Sequence, residues 1–391
     1  MTTRGTAEAG AVSEANPAQG KPHIRELGPD ELEKALEPAF GARPSHLARA
    51  LAGAVHRERA IGAEEILRVA GVGRRRVPLV ESAVRLEPLL SLERVVRSED
   101  DGGARLVLSV NRLGAREAVE AVTIPQRADL TLCLSSQAGC ALACSFCATG
   151  RLGFRANLTA GEMVEQHAWA ERTAGRRVTN VVFMGMGEPL LNYDEVLRAA
   201  YLLALPAGAQ VSRRNIVIST AGVAPRIRRY VKEGHPFPLF FSITSAIPEK
   251  RRRLMPIEET YPLAELREAI LEYVAARRRN RFATLEYVAI PGENMGDEDV
   301  DALGEFVEGM QAIIDVIPYN AAAGSPYRPP TWQEVKVFTT KLRRIRTPVK
   351  VRYSSGKAVA AGCGQLAADR LPPAPVSGHM GTLPVRFSEM E

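Results

Sequence analysis

Four cysteines crowd between positions 133 and 147 of this 391-residue chain, and a fifth, Cys363, stands alone near the C-terminus. Cys140, Cys144 and Cys147 form a CxxxCxxC motif in the segment CALACSFC. Thiolates bind soft metals, and three on one loop can hold three irons of a 4Fe-4S cluster while the fourth iron stays open to a cofactor. Zinc is the other candidate. Structural zinc takes four closed ligands, usually as two CxxC pairs, and no second pair is present. An odd count at tight spacing is also poor material for a disulfide framework.

The two remaining cysteines differ in setting. Cys133 lies in the strand-like TLCLS, where alternation points it opposite to Leu132 and Leu134. A lone strand cysteine is ordinarily a small buried hydrophobe. Cys363 sits in Ala-Gly-Cys-Gly-Gln, whose glycines give the backbone freedom to swing a thiol into and out of a site, which makes it a candidate nucleophile. Glu120, in VEAVTIP, reads by itself as a surface strand glutamate.

The elements that must position these residues follow a strand-then-helix repeat beginning at Asp129. Short β-branched runs appear at TLCLS, VTNVVFMG, NIVIST, PLFFSIT, ATLEYVAI, IIDVIPYN and VKVRYS. Helical stretches lie between them, and Thr159 with Glu162, and Asn192 with Glu195, have capping-box spacing. Six or seven successive βα units predict an α/β core over residues 129–370 with a parallel sheet, closed or partly closed, and function at the C-terminal strand ends. Residues 1–24 read as disordered and 371–391 as a loose tail. Residues 25–95 carry apolar residues at helical spacing, predicting an accessory unit of three or four helices. Residues 96–128 read as a connector containing one or two strands. Within the helical unit, Gly71-Val-Gly-Arg-Arg-Arg76 is either a phosphate-holding turn or a plain helix terminus.

Hydrophobic residues at 46% and charged residues at 25% allow a sizeable core in a soluble protein. No apolar run approaches the roughly eighteen residues of a membrane-spanning helix, and the N-terminus lacks the apolar region of a secretory signal. A cytoplasmic protein, not a membrane one, is expected. The net charge of +6 permits a polyanionic partner. The surplus is clumped at Arg74 to Arg76, Arg251 to Arg253, Arg277 to Arg279 and Arg343 to Arg346, as solvated helix ends or as phosphate contacts. Nothing points to an obligate interface, so a monomer is expected.

The CxxxCxxC motif, with Phe146 beside its last cysteine, resembles that of the radical S-adenosylmethionine superfamily. Longer segments, TLCLSSQAGCALACSFCATG, GFRANLTAGE, NVVFMGMGEPLLN, ISTAGV, LMPI, IPYN and GCGQLA, resemble the RlmN/Cfr family of RNA adenine methyltransferases. The likeness runs from about Arg43 to Leu366 and is densest after Glu120. It implies a partial, six-unit (β/α) radical SAM barrel with a small N-terminal helical accessory domain that binds RNA. It also implies one 4Fe-4S cluster on Cys140, Cys144 and Cys147, and two molecules of S-adenosylmethionine consumed per methylation. Cofactor contacts are implied at Gly187, Glu188, Ser219, Ser242, Ile243, Thr244 and Asn320, with the Glu188 carboxylate accepting from the methionyl ammonium group.

In the chemistry that this resemblance implies, Cys363 takes a methyl group by displacement from the first cofactor. A 5′-deoxyadenosyl radical from the second removes a hydrogen from that methyl group. The methylene radical adds to carbon 2 or carbon 8 of an adenine in rRNA or tRNA. Cys133 helps release the product through a transient disulfide with Cys363, and Glu120 is the implied proton acceptor. An electron donor such as flavodoxin or ferredoxin is implied as a partner. The competing reading is a radical enzyme acting on a peptide or small molecule, for which the helical unit would be dispensable. A silent RNA-binding homologue conflicts with the presence of all five cysteines.

Three positions depart from the family pattern. Ser242-Ile-Thr-Ser245 stands where Ser-Leu-His-Ala is common, so Thr244 replaces an imidazole by a hydroxyl. Lys357, in Gly356-Lys-Ala358, stands where acidic character is usual, and Gly362 where alanine is usual.

Overall fold

The structure is a computed structural model that describes residues 20–41, 43–114, 117–206, 208–277, 282–322, 324–354 and 362–366. Its strands are β1 (Leu90–Arg97), β2 (Ala104–Val110), β3 (Ala118–Gln126), β4 (Asp129–Cys133), β5 (Gln137–Gly139), β6 (Phe154–Asn157), β7 (Asn180–Phe183), β8 (Ile216–Thr220), β9 (Leu239–Ser242), β10 (Ala283–Ala289), β11 (Ala312–Pro318) and β12 (Val349–Val351). Strands β5 and β6 form a separate hairpin; the other ten make one sheet in strict chain order. From β1 to β4 the pairing is antiparallel, and from β4 to β12 it is parallel.

Strict order with parallel pairing follows when every crossover helix returns on the same side of the sheet. One face of each parallel strand is accordingly apolar and covered: Leu132, Ile218, Phe241, Leu285 and Ile314 are at most 1% exposed. These residues join the main hydrophobic core. The opposite face is concave and lines the inside of a partial barrel, the α/β architecture that the repeat predicted.

Helix α1 (Pro29–Phe40), α2 (Ser45–His56), α3 (Ala63–Val69) and α4 (Val77–Ala83) enclose their own core of Ile24, Leu32, Leu36, Leu51, Ile66 and Val80. Arg25 ties this unit to the barrel. Its Nε donates to Glu165 Oε2 at 2.5 Å, and its Nη2 to the Ala60 carbonyl at 2.5 Å. Glu165 Oε1 also accepts from the Leu89 and Leu90 amides. Glu165 sits on α6 (Ala160–Ala174), which follows α5 (Ala148–Leu152).

Several boundaries differ from the sequence reading. Residues 20–24 fall within the span read as disordered, yet Ile24 is fully buried and His23 bridges to Arg85, because the segment closes the floor of the helical unit. Strand β1 begins at Leu90, inside the span read as helical, and the connector holds two whole strands, β2 and β3, with the last two residues of β1. These strands extend the sheet instead of merely linking two parts.

The capping box at Thr159 and Glu162 is formed, with reciprocal bonds of 3.2 and 2.8 Å. The one at Asn192 is not. There the Asn192 amide donates to the Ser136 and Leu158 carbonyls, and Glu195 accepts from the Ala160 amide. Tertiary partners have outbid the local cap. Residues 1–19, the tail 371–391, and Gly356-Lys357-Ala358 lie outside the described residues. Among the described residues no helix is long and apolar enough to cross a membrane.

Candidate active site at the mouth of the partial barrel

Sheet register decides which side chains share the concave face. Residues paired directly across neighbouring strands lie on one side of a sheet, and so do residues two apart along a strand. Cys133 pairs with Val122 on β3 and with Val182 on β7. That places Glu120, two residues before Val122, on the same face as Cys133. Moving across the sheet, the pairs Ser219↔Phe240, Glu286↔Ser242, Glu286↔Asp315 and Asp315↔Lys350 put Ser219, Ser242, Glu286 and Asp315 on that face as one polar layer. Arg352 follows two residues after Lys350.

Glu286 is the hub of this layer. Its Oε2 accepts from Ser219 Oγ at 2.6 Å and from Ser242 Oγ at 3.3 Å, while its Oε1 takes a short bond from Arg352 Nη2. Arg352 Nε also lies 2.7 Å from Asp315 Oδ2. Glu286, Asp315 and Arg352 were missed by sequence reasoning. The available signal was a charge at alternating position within otherwise apolar core strands, ATLEYVAI and IIDVIPYN, where burial demands a partner.

The cysteine motif occupies the loop between β5 and α5. Cys140 is buried; Cys144 and Cys147 are partly buried, and all five cysteines are free thiols. Ala143 turns the loop at φ +52°, and Gly150 of α5 packs so closely that a Cβ there would lie 2.9 Å from the Cys144 amide nitrogen. Burial, then the neighbouring Cys147 and Cys140, push the Cys144 thiol well above its ordinary pKa; burial and Cys147 do the same to Cys140. Thiols held like Cys140 and Cys144 ionise together only against a compensating positive charge, which a metal cluster supplies.

Arg251 stands beside them. It is fully buried and donates to Glu258 Oε2 at 2.6 Å and the Ala221 carbonyl at 2.7 Å, with its charge acting on Cys144. Among the described residues no three His, Cys, Asp or Glu side chains converge as they would on a single metal ion. The donor chemistry of three soft thiols on one loop is the kind that a thiolate-ligated cluster takes.

Cys363 reaches the same place from the far end of the chain. The Ala148 amide donates to the Gly364 carbonyl at 2.8 Å, and Thr149 Oγ1 to the Leu366 carbonyl at 3.1 Å. Gln365 closes the turn, accepting from the Gly362 amide and donating to the Ala321 carbonyl. Burial raises the Cys363 thiol pKa, while Arg352 and Ser354 act in the opposite direction. Cys133 is raised too, by burial first and then by Cys363 itself, which places the two thiols within electrostatic reach.

Gly362 is pressed against Asn320: a Cβ there would meet Asn320 Nδ2 at 2.9 Å and Gln365 Oε1 at 2.8 Å. The glycine that departs from the family pattern is thus the residue that lets Asn320 approach the cysteine turn.

The turn after β7 is built by contact as much as by conformation. A Cβ on Gly185 would fall 2.6 Å from the Leu134 carbonyl oxygen, and one on Gly187 (φ +102°) 2.6 Å from Gln137 Cβ. Glu188, 2% exposed, accepts from the Leu190 amide at 2.9 Å and the Ala221 amide at 2.8 Å. Burial pushes its carboxyl up to about 7 despite these bonds. The carboxylate expected to face a ligand therefore also braces two loops.

Ile243 is fully buried, its amide on the Glu286 carbonyl. Thr244 adopts φ +58°, rare for a β-branched residue, and is fully buried. Its Oγ1, like Asn320 Oδ1, has no hydrogen-bond partner among the described residues. Glu120, read as a surface residue from chemistry alone, is 1% exposed and faces Arg105 at 3.3 Å. A cluster of thiols, glycine-lined backbone and orphaned polar atoms at the strand ends is a place to hold a polar cofactor over a reactive cysteine.

Comparison with known proteins agrees with this geometry. The Radical SAM superfamily matches residues 134–306. A probable RNA methyltransferase from Myxococcus xanthus is 44% identical over 347 residues, covering 88% of this chain and 94% of that protein. The dual-specificity RNA methyltransferase RlmN of Syntrophobacter fumaroxidans is 41% identical, covering 74% of this chain and 83% of that protein. Among solved structures, a radical SAM methyltransferase from Sphaerobacter thermophilus superposes with a TM-score of 0.81 at 33% identity, covering 89% of this chain and 99% of that one. Fold, cysteine loop and relatives lead to one assignment: the chain belongs to the RlmN family of radical SAM RNA methyltransferases.

Proposed function

We propose that this protein methylates a ring carbon of adenine, carbon 2 or carbon 8, in rRNA or tRNA through a methyl group carried on Cys363. The observation that carries the reading is the docking of the Cys363 turn onto the cysteine loop through the Ala148–Gly364 and Thr149–Leu366 bonds. A nucleophile needed only for structure has no reason to be brought there from the other end of the chain.

Cys140, Cys144 and Cys147 hold the 4Fe-4S cluster in this reading. Gly187, Glu188, Ser219, Ser242, Ile243, Thr244 and Asn320 surround S-adenosylmethionine, of which two molecules are used per methylation. When bound, cluster and cofactor supply the methyl group and the hydrogen-abstracting radical, with an electron from a flavodoxin or ferredoxin.

The chain's own residues do the rest. Cys363 accepts the methyl group on sulfur and presents it to the base. Arg352, set by Glu286 and Asp315, keeps a positive charge against that sulfur. Glu120 takes the proton lost from the ring carbon, and the Cys133 thiolate attacks the Cys363 sulfur, breaking its bond to the transferred carbon. That carbon leaves with the electron pair and takes up a proton as the methyl group, and the Cys133–Cys363 disulfide is left for reduction.

The test is anaerobic incubation of reconstituted enzyme with total RNA, dithionite and deuterated-methyl S-adenosylmethionine, followed by nucleoside mass spectrometry. A labelled methyladenosine that vanishes in Cys363→Ala is expected. Cofactor cleavage with no labelled nucleoside would overturn the RNA reading.

A further inference from the structure

The structure sorts the arginine clumps into two kinds. Arg251 is buried on Glu258, and Arg253 pairs with Glu293. Nearby, Arg228 and Arg229 are consumed by five carboxylates. Arg343 and Arg346 are different: both are exposed, and neither has an ion-pair partner among the described residues. They line a groove of about 510 Å³ with Thr339, Thr347, Val349 and Val351, and no acidic residue lines it. The groove runs between the helix Trp332–Leu342 and β12, an edge strand that pairs only with β11 among the described residues.

Direction along β12 gives this groove a destination. Val349 and Val351 point to the groove side, and alternation carries the same side on to Tyr353, which is 51% exposed. Ser354 follows, accepting from Asn320 Nδ2 at 2.7 Å beside the Cys363 turn. Register puts Val349, Val351 and Tyr353 on the outer side of the sheet, opposite Lys350, Arg352 and Ser354, so the groove runs outside the edge strand toward the rim of the barrel mouth. Basic, hydroxyl-bearing and ending at an exposed aromatic ring, it has the composition of a single-strand track, with phosphates at one end and a stacked base at the other.

Resting on the RNA reading above, we propose that the outer face of β12 guides the substrate strand. Arg343 and Arg346 bind its backbone phosphates, and Tyr353 stacks on a nucleotide beside the target adenine.

The experiment uses reconstituted full-length holoenzyme and a fluorescent, adenine-containing single-stranded RNA, with anisotropy read across a salt series. Arg343→Gln/Arg346→Gln should lower the slope of log K against log salt by about 1.4, two phosphate contacts at roughly 0.7 each. Tyr353→Ala should weaken binding roughly ten- to a hundredfold with the slope unchanged. Arg214→Gln/Lys232→Gln, which removes the same charge from exposed sites outside the helical unit and the groove, should leave the slope near the wild-type value. RNA-free cleavage of S-adenosylmethionine should be equal in all four proteins, which shows that each is folded and loaded. Wild-type and Arg343→Gln/Arg346→Gln slopes that coincide, or a loss matched by the Arg214→Gln/Lys232→Gln pair, would overturn the track and leave RNA methylation standing. Failure of the wild type to bind or methylate any RNA would overturn both.

Discussion

Replacing Glu165 by glutamine tests how the helical unit is held on the barrel. The carboxylate is completely buried and accepts three bonds, from Arg25 Nε at 2.5 Å and from the Leu89 and Leu90 amides at 3.1 and 3.0 Å. Glutamine preserves the shape, and its carbonyl can keep the two amides. What remains is an NH2 group turned toward the Arg25 donor, with a guanidinium 1% exposed and no counter-charge. Breaking a buried pair from one side costs about 3–5 kcal/mol. The nearby Arg172–Glu65 pair spans the same interface, but its side chains are 41% and 32% exposed, so Glu65→Gln should cost at most about 1 kcal/mol. The difference corresponds to about one and a half to three orders of magnitude in the docking equilibrium. Limited proteolysis near Leu86–Leu89 reads that equilibrium when opening is fast relative to cleavage. Glu165→Gln should be cut at least a hundredfold faster than wild type and Glu65→Gln less than tenfold faster. Equal rates for the two variants would refute the claim that the buried pair holds the interface.

Two further outcomes follow from the same coordinates. His56 and His167 are buried beneath the helical unit, and burial first, aided by Arg25 at both and by Arg59 and Arg177 at His167, depresses them to about 4 and about 3. Folded, both stay neutral at pH values where the unfolded chain takes up protons, so their contribution is full above about pH 6.5 and is lost as pH falls toward 4, at about 1.4 kcal/mol per pH unit for each ring. Urea titrations near pH 6 and pH 5 should therefore show a shallower loss of stability in His56→Gln/His167→Gln than in wild type; equal slopes would contradict the neutral assignment. Gly187→Ala forces a Cβ to 2.6 Å from Gln137 Cβ at φ +102° and should lower both melting temperature and S-adenosylmethionine affinity, with about 1–3 kcal/mol of strain. Gly175→Ala, at φ +64° with nothing within 4 Å, is the control, costing about 1–2 kcal/mol with affinity intact, and equal affinity losses would sink the contact argument.

What the sequence made legible was local or periodic. Alternating strands such as NIVIST announce themselves because one face must be buried, and CxxxCxxC because three thiols on one loop have few uses. Glu286 was illegible for the converse reason. Its role depends on Ser219 and Ser242, on two other strands, and on Arg352, just past a third, and no window of sequence contains them. Asn192 and Glu195 had the spacing of a cap, but tertiary carbonyls and the Ala160 amide claimed them. Glu120 looked exposed because its own strand alternates only weakly; β2 and β4 on either side bury it. The β12 groove was visible only as an arginine clump, and pairing, which is a property of the fold, separated Arg343 and Arg346 from the carboxylate-bound Arg251 and Arg253.

Thr244 and Asn320 carry the last step. A buried hydroxyl or amide oxygen without a partner costs about 1–3 kcal/mol, and these two sit at the ends of neighbouring strands on either side of Glu286. A protein retains such a cost where something else meets it. In the proposed site the polar ribose and amino acid parts of S-adenosylmethionine provide the missing donors, so cofactor binding relieves both atoms together. Threonine in place of an imidazole leaves a shorter reach, and the threonine backbone is held in its rare φ by Asn294, which donates to the Thr244 carbonyl at 2.6 Å. Gly362 opens the opposite wall by admitting Asn320. Of the three departures from the family pattern, Thr244 and Gly362 thus stand beside the two orphaned oxygens, Thr244 carrying one and Gly362 packing on Asn320, so in the proposed reading both bear on how the cofactor is held.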